Sequence, residues 1–455
     1  MPIVKSEGVT VTERLLADLC ERSFLKLWSY PNPFKDDKKE LCDLLAVFDN
    51  HVFIFFDREN LSFKKEGNDP LVNWNRWKKK AIDKQINTAL GAERYIKSGK
   101  PIFLDKNSNE RFPITFDSDK VTIHKIIVAH GAKEACEKFS DDNVSGSVGI
   151  IYGDMDSSLP FPFMIGMNKE HLVHVFDTHN LPIIFSELDT FCDLSTYLEE
   201  KENTITSLDG LSYCGEEDLL AHYLLNYDET ENRHYIGTRE HEHNFLMIGE
   251  GEWDDFTKLD IYDKKIKANE ISYCWDKLIQ KTCQNTLDGT ILGDSSPLRG
   301  KSAIHEMAKE PRFHRRFLSE RIIESIEGFP ETPQPAVRNL SFFPSFYDKK
   351  GYVFLQLKIP STPDNAEENR QKRQALLKIA CGSAKNKFPD LTTIIGIAIY
   401  SPKYAKEEGE DFILLECKDW PDGHKEHFEK LNEDYGFFQS SSLNMQSGRV
   451  SEFPE

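Results

Sequence analysis

The chain has 455 residues, of which 39% are hydrophobic and 29% are charged, and this balance favours folded globular domains over disorder. Its formal net charge of −19 disfavours a general nucleic-acid coat protein, which needs a positive surface. No apolar run approaches the roughly 18 residues of a membrane span, and no apolar leader is evident, so we expect a cytoplasmic protein without a membrane partner.

A chain of this length is typical of about two to four domains, and the predicted fold class is a multidomain α+β or α/β protein. The nine cysteines are scattered and contain no CxxC pair, so neither a disulfide framework nor a structural zinc site is predicted. The predicted segments are residues 1–100, 101–210, 211–330 and 331–455.

The first predicted helix covers about residues 11–28. Thr10 and Glu13 at its start form the Thr-x-x-Glu pattern of a capping box, in which the glutamate accepts hydrogen bonds from backbone N–H groups. Glu13 also shares a helical stripe with Leu16 and Cys20, which indicates that it faces the rest of the fold. Two roles of Glu13 therefore stay open, a helix cap and a metal ligand.

Two apolar runs at residues 42–48 and 52–58, separated by an Asp-Asn-His turn, predict a β-hairpin buried on both faces. A turn centred on Asn50 would place Asp43 opposite Asp57. Two opposed carboxylates are destabilising unless a cation offsets their charge, and Mg²⁺ is commonly bound through one or two carboxylates. The alternative is that both residues mark strand ends and lie in water.

Lysine and arginine concentrate between residues 58 and 100, where 11 of them accompany 5 acidic residues. Within this stretch, residues 74–96 predict a helix on which Trp74 and Trp77 interleave with basic side chains. Lysine and arginine neutralise phosphates and aromatic faces stack on bases, so this helix is a candidate nucleic-acid surface. The alternatives are a solvated charged face and contact with the acidic remainder of the chain.

The acid on the first helix, the acids of the hairpin and the following basic helix together resemble the PD-(D/E)xK nuclease superfamily. The resemblance covers about the first 100 residues and implies a restriction-endonuclease-like αβββα core with a Mg²⁺ or Mn²⁺ cofactor. The implied metal ligands are Glu13, Asp43, Asp57 and Glu59. The motif is divergent, because Phe56 and Arg58 stand where the superfamily has an acid and a lysine.

The resemblance also implies roles in the hydrolysis of a phosphodiester bond. The implied catalytic residues are Asp43, Asp57, Arg58, Lys78 and Lys80, and the implied substrate-binding residues are Arg76, Trp77 and Lys79. A lysine of the helix would orient the attacking water. Arginine stays protonated in proteins, so Arg58 would stabilise negative charge on the phosphate rather than act as a base. RNA and DNA both stay open as substrates.

The second segment predicts a mixed α+β region with strands at about residues 122–129, 147–152, 172–177 and 181–185. Histidines occur near these strands, at His124, His130, His171, His174 and His179. Two or three of them would meet at a metal ion, or each would satisfy local hydrogen bonds. His241 and His243, later in the chain, present the same two alternatives.

The third segment predicts helices at about residues 216–225, 264–281 and 313–327. With helical stretches such as residues 271–279, the remainder of the chain after about residue 100 resembles uncharacterised bacterial proteins. The last segment predicts a βαββ unit with a strand at 352–359, a helix at 366–387 and a hairpin at 392–400 and 411–417.

This last hairpin contains Asp390 and the sequence Glu416-Cys417-Lys418, which match the nuclease motif literally. A turn centred near residue 406 would place Glu416 opposite Gly396, about 20 Å from Asp390 at ~3.3 Å per residue. The candidate site is therefore assigned to the N-terminal hairpin.

The predicted function is metal-dependent hydrolysis of nucleic acid, as in a bacterial antiphage defence or toxin-like effector controlled by a protein partner or trigger. A first alternative is a catalytically inactive nuclease fold that binds nucleic acid or a protein, which the departures at Phe56 and Arg58 favour. A second alternative is an acidic interaction scaffold whose basic helix contacts its own domains.

Overall fold

The structure is a computed structural model that describes residues 5–60, 62–64, 69–140, 145–153, 161–228, 230–231, 233–237, 244–287, 297–360, 365–405, 409–439 and 451–453. The chain forms two compact units, one up to Asp263 and one from Lys264 onward. Within the described ranges, no helix is long and apolar enough to cross a membrane. His241 and His243 lie outside the described residues.

The first unit begins with a helix, three strands, a helical region and a fourth strand. These elements are α1 (Val11–Phe24), β1 (Ser29–Pro31), β2 (Leu44–Phe48), β3 (His51–Glu59), α2 (Pro70–Lys78), α3 (Lys84–Lys97) and β4 (Thr122–His130). A π-helical turn, Lys79–Asp83, joins α2 to α3, so the single helix predicted at residues 74–96 has an irregular centre.

The remaining elements of the first unit alternate between short strands and helices. They are α4 (Lys133–Phe139), β5 (Gly149–Gly153), β6 (Met164–Asn168), β7 (Val173–Asp177), α5 (Asn180–Glu187), α6 (Phe191–Ser207), β8 (Gly210–Tyr213), α7 (Glu216–Leu225), β9 (Tyr227–Asp228), β10 (Arg233–His234), β11 (Phe245–Ile248) and α8 (Glu252–Thr257). The helix α9 (Asp260–Asn269) contains the division between the two units.

The main sheet of the first unit has the strand order β1-β2-β3-β4-β7. Strands β1, β2 and β3 are antiparallel neighbours, whereas β3, β4 and β7 run parallel. Both β3 and β4 are apolar over most of their length because this part of the sheet is buried on both faces. The boundary predicted near residue 100 falls between β3 and β4, which pair directly, so both segments contribute to one sheet.

Alternate residues of β3 pack on opposite faces of this sheet. Phe53 and Phe55 contact Phe24 of α1, with ring centroids 4.7 and 6.4 Å apart. Ile54 and Phe56 belong to a core cluster that includes residues of α3. The main sheet is therefore a central layer between α1 on one side and α3 on the other.

The predicted hairpin is present as β2 and β3, but its register differs from the predicted one. Phe48 pairs with His51, so the turn consists of two residues and its centre lies between them. The prediction instead centred the turn on Asn50, which shifts every pair by one residue. The N–H of Asp43 donates to the carbonyl of Phe55 at 3.0 Å, and Asp43 does not lie opposite Asp57. The predicted opposition is wrong, because the length of the turn sets the register of every later pair.

Residues 181–185 belong to α5 and not to the strand predicted there. The carboxylate of Asp177 accepts hydrogen bonds from the N–H groups of His179 at 2.8 Å and of Asn180 at 3.0 Å, which supports a helix start directly after β7. The buried apolar residues of α5 recur with helical spacing. A short apolar run does not distinguish a strand from a buried helix, which is why the sequence pattern gave a strand here.

Two smaller sheets complete the first unit. One has the order β11-β8-β5-β6, and the other is the pair β10-β9. In the first of them β5 runs parallel to β6 and antiparallel to β8. The unit is thus a mixed α+β structure with several sheets.

The second unit contains helices followed by a sheet. Its further elements are α10 (Tyr273–Leu287), α11 (Pro297–Ala308), α12 (Arg312–Glu327), β12 (Val337–Pro344), β13 (Lys350–Lys358), α13 (Ala366–Lys387), β14 (Thr393–Tyr400), β15 (Glu410–Glu416) and α14 (Asp422–Asn432). The helix predicted at residues 264–281 is divided between α9, a 3₁₀ turn at Glu270–Ser272 and α10.

The predicted βαββ unit is confirmed in the second sheet, whose order is β12-β13-β14-β15. Strands β13 and β14 are parallel neighbours, and β14 pairs antiparallel with β15. Glu416 pairs with Thr393, and Gly396 pairs with Ile413, so the predicted pairing of Glu416 with Gly396 is wrong. The error arose because the turn is centred midway between Ile399 and Glu410, which pair, and not at residue 406.

Candidate functional site

Asp57 lies buried at the carboxyl end of β3, in the row of side chains that faces α1. Its Oδ1 accepts a hydrogen bond from Thr12 Oγ1 at 2.7 Å, and its Oδ2 lies 3.3 Å from Nε2 of His130. His130 ends β4 and pairs with Glu59 in the parallel ladder, so the ends of the two strands meet here. Both carboxylate oxygens of Asp57 therefore have partners within the protein.

Asp43 directly precedes β2 and is also buried. Its Oδ2 accepts a hydrogen bond from the backbone N–H of Asp57 at 2.6 Å. Burial raises the pKa of Asp43 to about 7, and the positive charge of Arg58 opposes this rise. The carboxylates of Glu40 and Glu13 add to it. A strongly raised carboxyl pKa of this kind is a property common at functional sites.

Glu13 forms the predicted capping box at the start of α1. Thr10 Oγ1 accepts a hydrogen bond from the N–H of Glu13 at 3.1 Å, and Glu13 Oε2 accepts one from the N–H of Val9 at 2.7 Å. Asn32 Nδ2 lies 3.4 Å from the same oxygen and donates to Glu40 Oε1 at 2.6 Å. Of the two roles that the sequence left open, the structure shows the cap.

A cleft of about 430 Å³ opens between the end of β3 and the junction of α2 with α3. Its lining residues are Arg58, Glu59, Asn60, Lys80, Ala81, Lys84 and Gln85. Three of these side chains are cationic and one is anionic, so the cleft favours an anionic ligand. Part of the lining comes from the π-helical turn, and such turns occur frequently at functional sites.

Gln85 lines this cleft although the sequence assigned it no role. The side chain is buried, and Nε2 lies 3.4 Å from the carbonyl of Lys80. Its Oε1 has no hydrogen-bond partner among the described residues, which is uncommon for a buried polar atom. The available signal was its position midway between Ala81 and Ala89, on the buried stripe of the helix.

The cleft brings together three of the predicted site residues, Arg58, Glu59 and Lys80. The predicted residues that do not line it include Arg76, Lys78 and Lys79. Lys78 Nζ instead forms an ion pair with Asp83 at 3.1 Å, and the other two side chains are exposed. Basic residues that are adjacent in sequence point in different directions because they belong to a helix.

Trp77 is a core residue and not a surface contact. Its side chain is 0% exposed, its ring stacks on Trp74 at 5.2 Å, and its Nε1 donates to the carbonyl of His130 at 2.9 Å. The prediction that Trp77 holds the substrate is wrong, because no part of the ring reaches solvent to stack on a base. The spacing of the two tryptophans is that of a core-facing helical stripe.

A second polar cluster lies near the amino-terminal ends of β4 and β7. His124 Nδ1 lies 3.2 Å and His174 Nε2 lies 2.9 Å from Oε1 of Glu202, which belongs to α6. One ligand atom of each residue lies within 4.8 Å of the other two. Of the predicted histidines, His124 and His174 therefore meet, whereas His130 lies at the opposite end of β4.

His51 extends this cluster toward the surface. Its Nδ1 lies 3.0 Å from Nε2 of His124, and its Nε2 lies 3.6 Å from Oε1 of Glu199. Burial, with a smaller effect of His124, lowers the pKa of His51 to about 4, and burial also lowers the pKa of His174. Burial opposes ionisation of Glu202, but hydrogen bonds from the two histidines hold its pKa well below the ordinary range.

Sequence reasoning missed Glu202 for a topological reason. The pairing of β4 with β7 aligns Ile126 with His174, so His124, two residues before Ile126, shares a sheet face with His174. The helix α6 then places Glu202 over that face. The three residues come from three separate elements, so no local spacing pattern connects them.

The carboxylates predicted to bind Mg²⁺ or Mn²⁺ do not converge in this way. Among the side chains that the structure describes, the group with the ligand atoms of three or more residues within 4.8 Å is His124, His174 and Glu202. Oxygen donors suit Mg²⁺, but Glu13 and Asp57 are engaged by hydrogen bonds within the protein. Two members of the predicted ligand set, Glu13 and Asp57, are therefore engaged within the protein, and the Mg²⁺ or Mn²⁺ cofactor stays a prediction.

Comparisons with models of protein families, with curated proteins and with solved structures find no match for this chain. The functional assignment therefore rests on the geometry of the cleft and its surroundings.

Proposed function

We propose that the first unit binds the phosphates of a nucleic acid in the cleft between β3 and α3. The observation that carries this proposal is that Arg58, Lys80 and Lys84 come from different elements and line the same cleft. Arginine and lysine contacts to phosphate supply most of the affinity of nucleic-acid binding. Of the 11 basic residues between 58 and 100, these three therefore lie around one cleft.

The position of the cleft supports the same proposal. It lies beyond the carboxyl end of β3, beside the parallel neighbour β4, and ligands of open α/β sheets bind at the carboxyl ends of strands.

Cleavage of the bound nucleic acid by a divergent PD-(D/E)xK nuclease is the second candidate function. Two observations favour it: the order of one helix, three antiparallel strands, paired helices and a parallel strand, and the raised pKa of Asp43 beside Arg58. The carboxylates of Glu13 and Asp57 accept hydrogen bonds within the protein. For this reason binding is the first candidate function and cleavage the second.

Binding is tested by fluorescence anisotropy of labelled single-stranded RNA, single-stranded DNA and duplex DNA. The variant Lys80→Ala/Lys84→Ala should bind at least about 10-fold more weakly, and the salt dependence of its affinity should fall by about one to two ions. The matched control Lys100→Ala/Lys120→Ala removes two exposed lysines outside the cleft and should bind as wild type. Equal affinities of the two double variants would contradict the proposal.

Cleavage is tested on the same substrates with Mg²⁺, Mn²⁺ or EDTA. Metal-dependent cleavage that is lost in Asp43→Asn and retained in Glu416→Gln would establish the second candidate. Glu416 belongs to the second sheet, in the hairpin that matches the nuclease motif literally, and loss of cleavage in Glu416→Gln alone would assign the activity to that hairpin instead. Absence of cleavage by a wild-type chain that binds nucleic acid would leave binding as the function of this site.

A further inference from the structure

The cluster of His124, His174 and Glu202 lies apart from the cleft. His124 is near the start of β4 and His130 is its last residue, so these two residues are about 20 Å apart at ~3.3 Å per residue. The cleft and the carboxylates around Asp57 occupy the carboxyl end of the sheet. The histidine cluster is therefore independent of the proposed nucleic-acid site.

The two distances from the Glu202 oxygen to the histidine nitrogens are close to those between neighbouring ligands of a tetrahedral metal site, and the two nitrogens lie within 4.8 Å of each other. A zinc ion binds imidazole nitrogen at about 2.0–2.1 Å and carboxylate oxygen at about 2.0–2.2 Å, which separates neighbouring ligand atoms by about 3.3–3.5 Å. The nitrogens of His124 and His174 lie 3.2 and 2.9 Å from Glu202 Oε1. An outward movement of a few tenths of an ångström would make room for the ion.

The chemistry of the donors selects the metal. Two imidazole nitrogens and one carboxylate oxygen suit zinc and neighbouring transition metals, whereas Mg²⁺ and Ca²⁺ prefer oxygen ligands alone. The two histidine side chains are fully buried, and the side chain of Glu202 is 15% exposed, so the carboxylate is the side from which water and an ion enter. Three protein ligands leave a fourth position for water.

The surroundings of His124 resemble the support that metal-binding histidines receive. Its Nε2 lies 3.0 Å from Nδ1 of His51, whose second nitrogen lies 3.6 Å from Glu199. The planes of the two imidazole rings are nearly parallel, with an angle of 5° between them. A contact of this kind fixes the ring and keeps Nδ1 of His124 directed at Glu202, as outer partners of metal ligands do.

We propose that His124, His174 and Glu202 bind one Zn²⁺ ion that connects the strands β4 and β7 to helix α6. The ion replaces the direct contacts between the carboxylate and the two rings by three metal–ligand bonds. Its binding energy adds to the stability of the folded first unit, because the unfolded chain does not hold the three residues together.

The test uses the full chain after treatment with a chelator and its removal. Titration with Zn²⁺ in a calorimeter should show one tight ion per chain, and Zn²⁺ should raise the melting temperature. Glu202→Gln and His174→Ala should each bind Zn²⁺ at least 100-fold more weakly than wild type. His51→Ala should weaken binding by about 10–100-fold, because His51 acts through His124. The matched control His171→Ala removes a nearby histidine that is not in the cluster and should bind as wild type.

A wild-type chain that takes up no Zn²⁺ would overturn the proposal and leave a hydrogen-bonded triad without an ion. Zn²⁺ binding that Glu202→Gln leaves unchanged would also overturn it, because the ion would then be bound elsewhere. Glu202→Gln preserves the size of the side chain, and its melting temperature in chelator shows whether it folds. Bound Co²⁺ gives an independent check, since a tetrahedral site produces intense visible absorption that the variant should lack.

Discussion

At the scale of single residues, Asp43 illustrates how burial next to other acids sets the charge of a side chain. Burial raises the pKa of this carboxyl to about 7, whereas in the unfolded chain an aspartate ionises at about 3.9. Folding therefore favours the protonated form. The stability that Asp43 contributes is fully present below the unfolded value and is lost as the pH rises through about 7.

We predict that Asp43→Asn has a pH-dependent effect on the free energy of unfolding. Between about pH 5 and about pH 8, the stability of the variant relative to wild type should rise by about 1–3 kcal/mol, because the asparagine does not ionise. Urea denaturation in EDTA at a series of pH values measures this difference. A difference that is the same at every pH would contradict the raised pKa, and Asp119→Asn is the exposed control.

Trp77 offers a second test at this scale, because burial assigns it to the core. Trp77→Phe removes the N–H donor of the His130 carbonyl, and we expect a loss of about 1–2 kcal/mol in stability with unchanged nucleic-acid affinity. Denaturation and anisotropy on the same preparation check both parts. Weakened binding with unchanged stability would instead restore a surface role for this side chain.

At the scale of elements, helix α1 begins with a complete capping box. The box satisfies N–H groups that the first turn leaves without partners. We predict that Thr10→Ala lowers the stability of the first unit by about 1 kcal/mol, whereas Glu13→Gln is close to neutral, since glutamine also serves in a capping box. Thermal denaturation measures both.

The variant Glu13→Gln also distinguishes the two roles of Glu13, a helix cap and a metal ligand. If Glu13 served as a metal ligand, Glu13→Gln would reduce metal-dependent cleavage while preserving stability. A stable Glu13→Gln chain with unchanged activity would restrict Glu13 to the helix cap.

Features of the fold that depend on local pattern were predictable from the sequence. The apolar runs of β2 and β3, the Thr10–Glu13 cap and the βαββ order of the second unit are examples. The register of the first hairpin was not predictable, because a turn of two residues and a turn of three residues give nearly the same sequence pattern. The α5 helix was also missed, because a short apolar run is compatible with either structure.

The candidate site was predictable to a similar extent. Arg58, Glu59 and Lys80 were expected near each other and line one cleft. Trp77 was misplaced, because a basic, tryptophan-containing helix gives the same pattern whether the rings face solvent or the core. Glu202 was not found, since the pairing of distant strands determines its position over His124 and His174.

At the scale of the whole molecule, each compact unit has its own core. One cluster includes residues of β2, β3 and α3, and the other includes residues of β13, β14 and α13. The second unit also contains a buried ionic group, in which Asp276 accepts from Arg312 at 2.7 Å and from Arg315 at 2.6 Å. Substitution of Trp77 should therefore destabilise the first unit, and substitution of Asp276 should destabilise the second.

We predict that heat unfolds the chain in two transitions, because the two units have separate cores. Asp276→Asn should lower only the transition of the second unit, by about 3–5 kcal/mol, since it removes the negative charge that the buried Arg312 and Arg315 share. Trp77→Phe should lower only the other transition. Differential scanning calorimetry measures both, and a single transition that both variants shift equally would contradict the prediction.

The parallel pairing of β3 with β4 has a consequence that we predict for the folding of the first unit during translation. The β2–β3 hairpin leaves the ribosome first, but its strand partner begins only at residue 122, after the whole of α2 and α3 has been made. Until then, the edge of β3 that pairs with β4 has no strand partner, and the phenylalanine side chains of β3 are only partly buried. Nascent chains that stop between α3 and β4 should therefore recruit chaperones, and release from them should follow the synthesis of β4 and β7.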